Sequence, residues 1–194
     1  MRFDTPAQKS CYEKILPLMR EMFGDFAGQR QEIPEFGVLV GSAFAQTAIY
    51  PFGEDESVIS TRAYVVTGAE LTADLMHFLL RENDRMTFGA FGIDEEGDIF
   101  FEHSILGSTC DPEELRSSVS SVVLIADEYD DLIVEKWGGQ RAIDRVRNGS
   151  EAPQSAPAKA WPGWFPVRFA GWRYALWPAA SAARRRAASV PSWR

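Results

Sequence analysis

Hydrophobic and polar positions follow the clearest pattern over residues 86–139, where they predict two strands and then one long helix. Residues 86–93 and 99–106 are rich in Phe and Ile, as strands are, and an acidic stretch at 94–98 separates them. Gly97 supplies the positive φ that a short loop between strands requires. These residues therefore predict a β-hairpin.

The length of the hairpin loop decides which side chains share a face of the sheet, because side chains alternate along a strand. With a loop of even length, one face carries Phe91, Ile93 and Phe100. The other face then carries Phe88, Ile99, Phe101 and Ile105. A three-residue loop changes these sets but still leaves Phe on both faces. An antiparallel sheet with one wet face alternates more cleanly, so we expect the second face to be covered. A second copy of the chain, the C-terminal segment or a peptide partner are the candidates.

The long helix is predicted from its capping residues and its apolar stripe. Asp111 is the expected N-cap, Pro112 fits the first helical position, and Glu114 completes a capping box. Gly138 and Gly139 end the helix, since glycine adopts the left-handed cap without steric cost. Apolar residues spaced by three and four form a stripe that must be buried: Leu115, Val119, Val122, Ala126, Tyr129, Ile133 and Trp137. A solvated acidic face is expected opposite: Asp127, Glu128, Asp130, Asp131 and Glu135.

Two further helices are predicted in the first half of the chain. Thr5 caps the first, which continues to Gly24, and although Pro17 can kink or divide a helix, we expect one helix that is bent there. Thr67 opens a capping box for the second, which continues to Glu82. Apolar residues cover more than half of its circumference, so it needs cover on two sides: Leu71, Leu75, Met76, Phe78, Leu79 and Leu80.

Three more strands complete the predicted fold. Residues 35–40 and 43–50 form a hairpin around Gly41 and Ser42, and residues 57–66 alternate as a third strand. The resulting order is α-β-β-β-α-β-β-α. Antiparallel strands interrupted by single helices indicate an α+β fold, with a five-stranded antiparallel sheet packed against helices.

Charge divides the chain into a domain at 1–150 and a tail at 151–194. Residues 1–150 contain 13 Lys and Arg against 27 Asp and Glu, and the remaining residues contain 7 against 1. Nucleic acid is therefore not an expected partner of the domain, because phosphate repels an acidic surface. The tail combines a Pro/Ala linker with five of the six Trp residues and six Arg residues. Three interpretations stay open: a disordered or out-of-frame extension, a membrane-surface contact, and a segment that folds onto the acidic domain.

The sequence contains no motif of a known catalytic or cofactor site. It lacks nucleophile-elbow, P-loop, dinucleotide-binding and zinc-protease patterns, so we expect no enzyme and no cofactor. The two His and two Cys residues have no metal-ligand spacing, and residues 94–98 do not match a calcium loop. Glu102, His103 and Ser104 are adjacent in a strand and so cannot converge as a triad. Two cysteines, no signal-peptide pattern and no long apolar run favour a cytoplasmic protein.

Several strings in this order resemble the YbjN-like family, which is related in fold to the CesT/Tir-type chaperones of type III secretion. They are Leu79-Leu80-Arg81-Glu82-Asn83, the Gly-x-Phe-Gly-Ile-Asp-Glu-Glu-Gly-Asp hairpin, Ala126-Asp127-Glu128-Tyr129-Asp130 and Trp137-Gly138-Gly139. The resemblance covers roughly residues 5–145. It implies a secretion-chaperone-like fold and a homodimeric adaptor, chaperone or regulator that binds a protein or peptide client.

Candidate residues follow from the resemblance and the apolar pattern together. The client is expected at Phe91, Ile93 and Phe100. By analogy with the resembling chaperones, the middle helix is expected to form the homodimer interface through Leu71, Leu75, Met76 and Leu80. Two rival functions stay open: a membrane-surface-associated regulator that acts through the tail, and an enzyme with an unrecognised acidic site.

Overall fold

The computed structural model describes residues 1–24 and 27–147, and the predicted linker and tail lie outside the described residues. Its helices are α1 (Pro6–Phe23), α2 (Ala73–Asn83), α3 (Pro112–Trp137) and α4 (Ala142–Arg147). Its strands are β1 (Ala27–Gln29), β2 (Glu35–Val40), β3 (Ala43–Phe52), β4 (Glu56–Thr67), β5 (Ala90–Ile93), β6 (Ile99–Leu106) and β7 (Gln140–Arg141).

The strands form one antiparallel sheet in the order β1-β2-β3-β4-β6-β5, and β7 pairs with the end of β4. The predicted α+β class is confirmed. The described sheet has seven strands instead of the expected five. The additional strands β1 and β7 have three and two residues, which is too short for an alternating pattern to show in the sequence.

The predicted helix boundaries hold for α1 and α3 and fail for α2. The side chains of Thr5 and Asp111 accept hydrogen bonds as N-caps of α1 and α3, and α1 continues through Pro17 as one helix. Helix α2 is capped by Thr72 instead of Thr67. Thr67 still belongs to β4, where it pairs with Gln140 of β7. Strand pairing thus overrides the local capping signal.

The helices α1, α2 and α3 pack on one side of the sheet, which we call the helix face. Its residues form two clusters. One joins α2 and most of α3 to Ala45, Ala63, Phe91 and Phe101. The other joins α1 and the first turns of α3 to strand residues that include Val38, Ile49, Ile59 and Ile105. Most of the core therefore lies between this helix layer and one face of the sheet, and Ala48 and Tyr64 on the other face and Ala142 and Ile143 of α4 are buried as well.

The β5–β6 hairpin has a different register from the even-loop expectation. Ile93 pairs with Ile99 and Phe91 with Phe101, so five residues form the loop. Because five is odd, Phe91 and Ile93 join the helix face, and Phe100 alone points to the other side. The expected grouping of these three residues on one face is wrong. Phe91 is only 7% exposed and belongs to the core.

The predicted acidic face of α3 is also interrupted. The Ser42 amide and hydroxyl lie 2.5 and 2.7 Å from Asp127 Oδ1, and Asp130 Oδ2 lies 2.7 Å from the same hydroxyl. Asp130 is 2% exposed, so it is a buried group and not the solvated one expected. Gly41 has φ +58°, and a Cβ there would lie 2.3 Å from Asp127 Oδ1. The two carboxylates thus fasten the β2–β3 turn to α3.

Candidate functional site

The sheet has a second face, which points away from α1, α2 and α3. Its members follow from the register, because they alternate with the buried row formed by Ala45, Ala63 and Phe101. They comprise Leu39, Phe44, Gln46, Ala48, Tyr50, Phe52, Val58, Ser60, Arg62, Tyr64, Phe100, Glu102, Ser104 and Leu106. Polar and apolar side chains are segregated across this face.

A polar band crosses the middle of the second face. The Arg62 guanidinium donates two hydrogen bonds to Glu102 Oε2, one of them at 2.8 Å. Ser60 donates to Glu102 Oε1 at 2.6 Å and accepts from Ser104 at 3.1 Å. Burial lowers the pKa of Arg62, but the charge and hydrogen bonds of Glu102 outweigh burial and raise it. Arg62 therefore stays charged, and its Cζ lies 3.9 Å from the centre of the Phe100 ring.

An apolar row borders this band on the side of the β3–β4 turn. Tyr50, Val58 and Leu106 are in register on three neighbouring strands, and Phe52 follows next to them. We call these four residues the apolar row. Phe52 is 45% exposed and Leu106 is 43% exposed. Large apolar side chains that are clustered and accessible mark an interaction surface more strongly than single ones do.

The apolar row continues around the edge of β6 into a cleft. The pairing of β5 stops at Ala90 and Glu102, so beyond that point β6 pairs only with β4. An open cleft of about 600 Å³ lies there, between the end of β6 and the start of α3. Its lining includes Phe88, His103, Ile105, Leu106, Glu113 and Glu114. We call it the β6–α3 cleft, and its size is within the range of ligand-binding clefts.

His103 forms the inner wall of this cleft. Its Nδ1 lies 2.9 Å from the hydroxyl of Ser118 on α3, and its ring meets Phe88 edge to face. Burial lowers the pKa of His103, although the charge of Glu114 opposes this shift. Burial therefore favours the neutral imidazole. Glu102 and Ser104 point to the second face, so these three neighbours do not converge, as alternation requires.

The expected dimer residues of α2 are divided by the structure. Leu75 is fully buried beneath α2 and belongs to the core, so it is not available to a partner. Met76 and Leu80 are exposed on α2, and Leu80 shows 69% of its surface. Leu71 is also exposed, but it lies before the helix begins at Ala73, so its expected place on α2 is wrong. An amphipathic helix has a core side and an outer side, and the apolar stripe was broad enough to include both.

The described part of the chain contains two thiols and no cluster of metal-binding side chains. Cys11 and Cys110 are buried free thiols. Burial raises the pKa of both, that of Cys110 to about 11, which makes them poor nucleophiles. Within residues 1–24 and 27–147, no three His, Cys, Asp or Glu side chains come together as metal ligands. In the same ranges, no helix has the length and apolar character needed to span a bilayer.

In the described residues, α1, α2 and α3 pack on one face of an antiparallel sheet, and accessible apolar residues lie on the other. The family described as T3SS (YopN, CesT) and YbjN peptide-binding chaperone 1 matches residues 13–145. The chain belongs to this family, which confirms the resemblance found in the sequence. No curated protein is similar enough in sequence to count as a further relative.

Several solved structures of low sequence identity are similar to this chain. The ExsC–ExsE complex aligns with a TM-score of 0.50 at 16% identity, over 66% of this chain and 96% of that chain. The HopA1–SchA chaperone–effector complex gives 0.48 at 8% identity, over 62% and 94%. The Yersinia pestis type III secretion chaperone SycH with a fragment of YscM2 gives 0.41 at 20%, over 61% and 96%. At 16% identity, the likeness to the first is one of fold alone.

Sequence reasoning missed both the apolar row and the cleft. Alternation in residues 57–66 places Val58 and Arg62 on one face, which is a usable signal. Neither the pairing of Val58 with Leu106 nor the proximity of β6 to the start of α3 is local in sequence. Phe100 is the one expected client residue that lies on the second face.

Proposed function

We propose that this protein is a non-catalytic adaptor of the chaperone type, which binds an extended apolar segment of another protein on the second face of its sheet. The apolar row carries this proposal, because it lies on the face that α1, α2 and α3 leave free. Membership of a peptide-binding chaperone family supports it.

Binding would bury client side chains against the apolar row. Complete burial of one Leu or Phe side chain contributes about 1.5–3 kcal/mol, so two or three such contacts offset the entropy of ordering a short peptide. The polar band next to the row already has its hydrogen bonds satisfied within the sheet. Phe100 stays a proposed contact, limited to the part of its ring that Arg62 leaves uncovered.

We further propose that the outer side of α2 forms a homodimer. Met76 and Leu80 are exposed there, Leu71 is exposed just before the helix begins, and burial against a second copy of the chain would remove all three from water. Sedimentation velocity tests this proposal directly. Leu80→Asp is expected to convert a dimer to a monomer. A wild-type monomer at micromolar concentration contradicts the proposal.

We propose a cytoplasmic location, because both cysteines are free thiols, as is usual in a reducing compartment.

The proposed adaptor function is tested by affinity capture with the full chain from extract of its own cells. A retained partner should be lost with Leu106→Asp, which places a charge in the apolar row. Leu124→Asp is the matched control, since Leu124 is 56% exposed on α3 and lies outside the row. Equal retention by both variants, or no retained partner, contradicts the proposal.

A further inference from the structure

We propose that the β6–α3 cleft selects a basic side chain, Lys or Arg, in the bound client segment. This inference rests on the proposed function, because the cleft continues the apolar row through Leu106. The occupant is a peptide that places an apolar residue on the row and a basic residue in the cleft. Three observations support this inference: the position of the cleft, the charge of its lining and the apolar part of its lining.

The cleft lies where an extended peptide can reach it from the row. Leu106 belongs to both, and β6 has no strand partner on its outer side beyond Glu102 in the described residues. A strand edge of this kind leaves lateral space for a chain that runs beside it. Neighbouring side chains of an extended peptide therefore can occupy the row and the cleft together.

The charge of the cleft is entirely negative. Asp111, Glu113 and Glu114 line it, and no Lys or Arg is among its described lining residues. One oxygen of Asp111 is already used, since it accepts the Glu114 amide as the N-cap of α3. The Glu113 and Glu114 carboxylates add two further acidic groups in the first turn of α3.

Cations close to the cleft leave this charge largely uncompensated. Arg116 lies 3.8 Å from Glu113 in a solvent-exposed pair, an arrangement of little energetic value. Lys14 instead donates to the carbonyl oxygens of Gly107 and Ser108. Burial favours the neutral form of His103, which adds no positive charge. A basic side chain of the client is thus the complementary group.

Part of the cleft lining is apolar. Phe88, Ile105 and Leu106 contribute this part, and Glu113 and Glu114 belong to the same lining. Lys and Arg have an aliphatic stem that packs on apolar surface and a charged tip that stays near polar groups. This combination matches a lining that is partly apolar and partly acidic better than a purely apolar or an acidic side chain does.

Panning of a phage-displayed library of random dodecapeptides against the full chain tests the inference. We expect enriched peptides to combine apolar residues with Lys or Arg. The variant Glu113→Gln with Glu114→Gln should lose the preference for Lys and Arg and keep the preference for apolar residues. Glu95→Gln with Glu96→Gln is the matched control. It makes the same change in charge at exposed positions in the β5–β6 turn, at the other end of β6, and it should behave as wild type.

The affinity of one enriched peptide gives the quantitative test. Fluorescence anisotropy should show about fivefold to tenfold weaker binding by the Glu113/Glu114 variant, or by a peptide whose basic residue is replaced with Gln. The difference should shrink in 0.5 M salt, because screening weakens exposed charge pairs. Circular dichroism of both variants verifies that α3 has formed.

The outcomes separate this inference from the proposed function. Apolar enrichment without basic residues, or equal affinity of both variants, overturns the cleft inference and leaves the adaptor function in place. A library with no enrichment overturns both. Dissociation of a homodimer by the Glu113/Glu114 change would identify a second copy of the chain as the occupant, and it would also overturn the inference.

Discussion

The two faces of the sheet meet different physical demands, and strand β4 contributes to both. On the helix face, Ile59, Ala63 and Val65 are buried against α1 and α3. On the second face, Val58 belongs to the apolar row and Arg62 to the polar band. The same twelve-residue strand thus carries core residues and candidate binding residues on alternate positions.

This difference separates stability from binding. Burial of apolar surface on the helix face supplies the main driving force for folding. The second face satisfies its own polar groups, and Phe52 and Leu106 of its apolar row are accessible to a partner. Substitutions on the helix face should therefore change the free energy of unfolding, and substitutions in the apolar row should change affinity.

The strongest contrast is expected between Phe101 and Leu106, both on β6. Phe101→Ala should lower the free energy of unfolding by about 3–5 kcal/mol, because it leaves a cavity under α3. Leu106→Ala should change it by about 0.5 kcal/mol, since its side chain is already partly in water. Urea denaturation measures both. Comparable losses would show that the second face is part of the core.

The link between the β2–β3 turn and α3 is tested next. Gly41→Ala should cost about 2–3 kcal/mol, because a positive φ disfavours any Cβ and this one meets the Asp127 carboxylate. Gly53→Ala is the control at another turn, where φ is +70° but no atom lies within 4 Å of the added Cβ. It should cost only about 1 kcal/mol. Equal costs would mean that Asp127 moves aside.

The polar band should contribute more to stability than the apolar row does. Glu102→Gln removes the charge that accepts from Arg62 and Ser60, so we expect a loss of about 1–3 kcal/mol in urea denaturation. Lys9→Gln is the control, because its pair with Glu13 is fully on the surface and is worth about 0.5 kcal/mol or less. A loss for Glu102→Gln no larger than that of the control would place the band among ordinary surface pairs.

The smallest effect distinguishes Asp127 from Asp130. Hydrogen bonds from Ser42 lower the pKa of Asp127, whereas burial raises the pKa of Asp130. The single hydroxyl hydrogen of Ser42 cannot bond to both carboxylates at once. The side-chain amide introduced by Asp130→Asn can donate to Ser42 Oγ, which leaves the hydroxyl hydrogen for Asp127. At pH 7, Asp127→Asn should lose about 1 kcal/mol, and Asp130→Asn should lose nothing or gain stability.

The pH dependence of these variants has opposite signs. The contribution of Asp127 is present above pH 3.8, its ordinary pKa, and is lost as the pH falls through its lower pKa in the folded protein. The contribution of Asp130 is present below pH 3.8 and is lost as the pH rises through its higher folded pKa. The advantage of Asp130→Asn should therefore grow from pH 4 to pH 7 in urea denaturation. An advantage that is constant with pH would contradict this assignment.

Local signals in the sequence were sufficient for several elements. Asp111, Pro112 and the glycines at 138 and 139 defined α3, because a capping residue acts within one turn of its own position. The order of strands and helices gave the α+β class, which requires only the sequence of elements. The family resemblance rested on strings from these same elements and was confirmed.

Contacts distant in sequence decided the remainder. The capping signal at Thr67 yielded to pairing with β7, and the acidic pattern of α3 did not reveal that Asp130 meets Ser42. Each of these contacts joins residues more than 70 positions apart, where no local propensity operates. The cleft likewise exists only because β5 stops pairing before the end of β6.

The sequence by itself determined the three long helices and the five longer strands, where α1 and α3 begin, and that the sheet carries apolar residues on both faces. Only the tertiary structure decided which residues those are. Strand side chains have a period of two, so one additional residue in the 94–98 loop would move every side chain of one hairpin strand to the opposite face of the sheet. The register that places Phe91 in the core and Leu106 at the surface is set by packing against the helix layer and not by either residue alone.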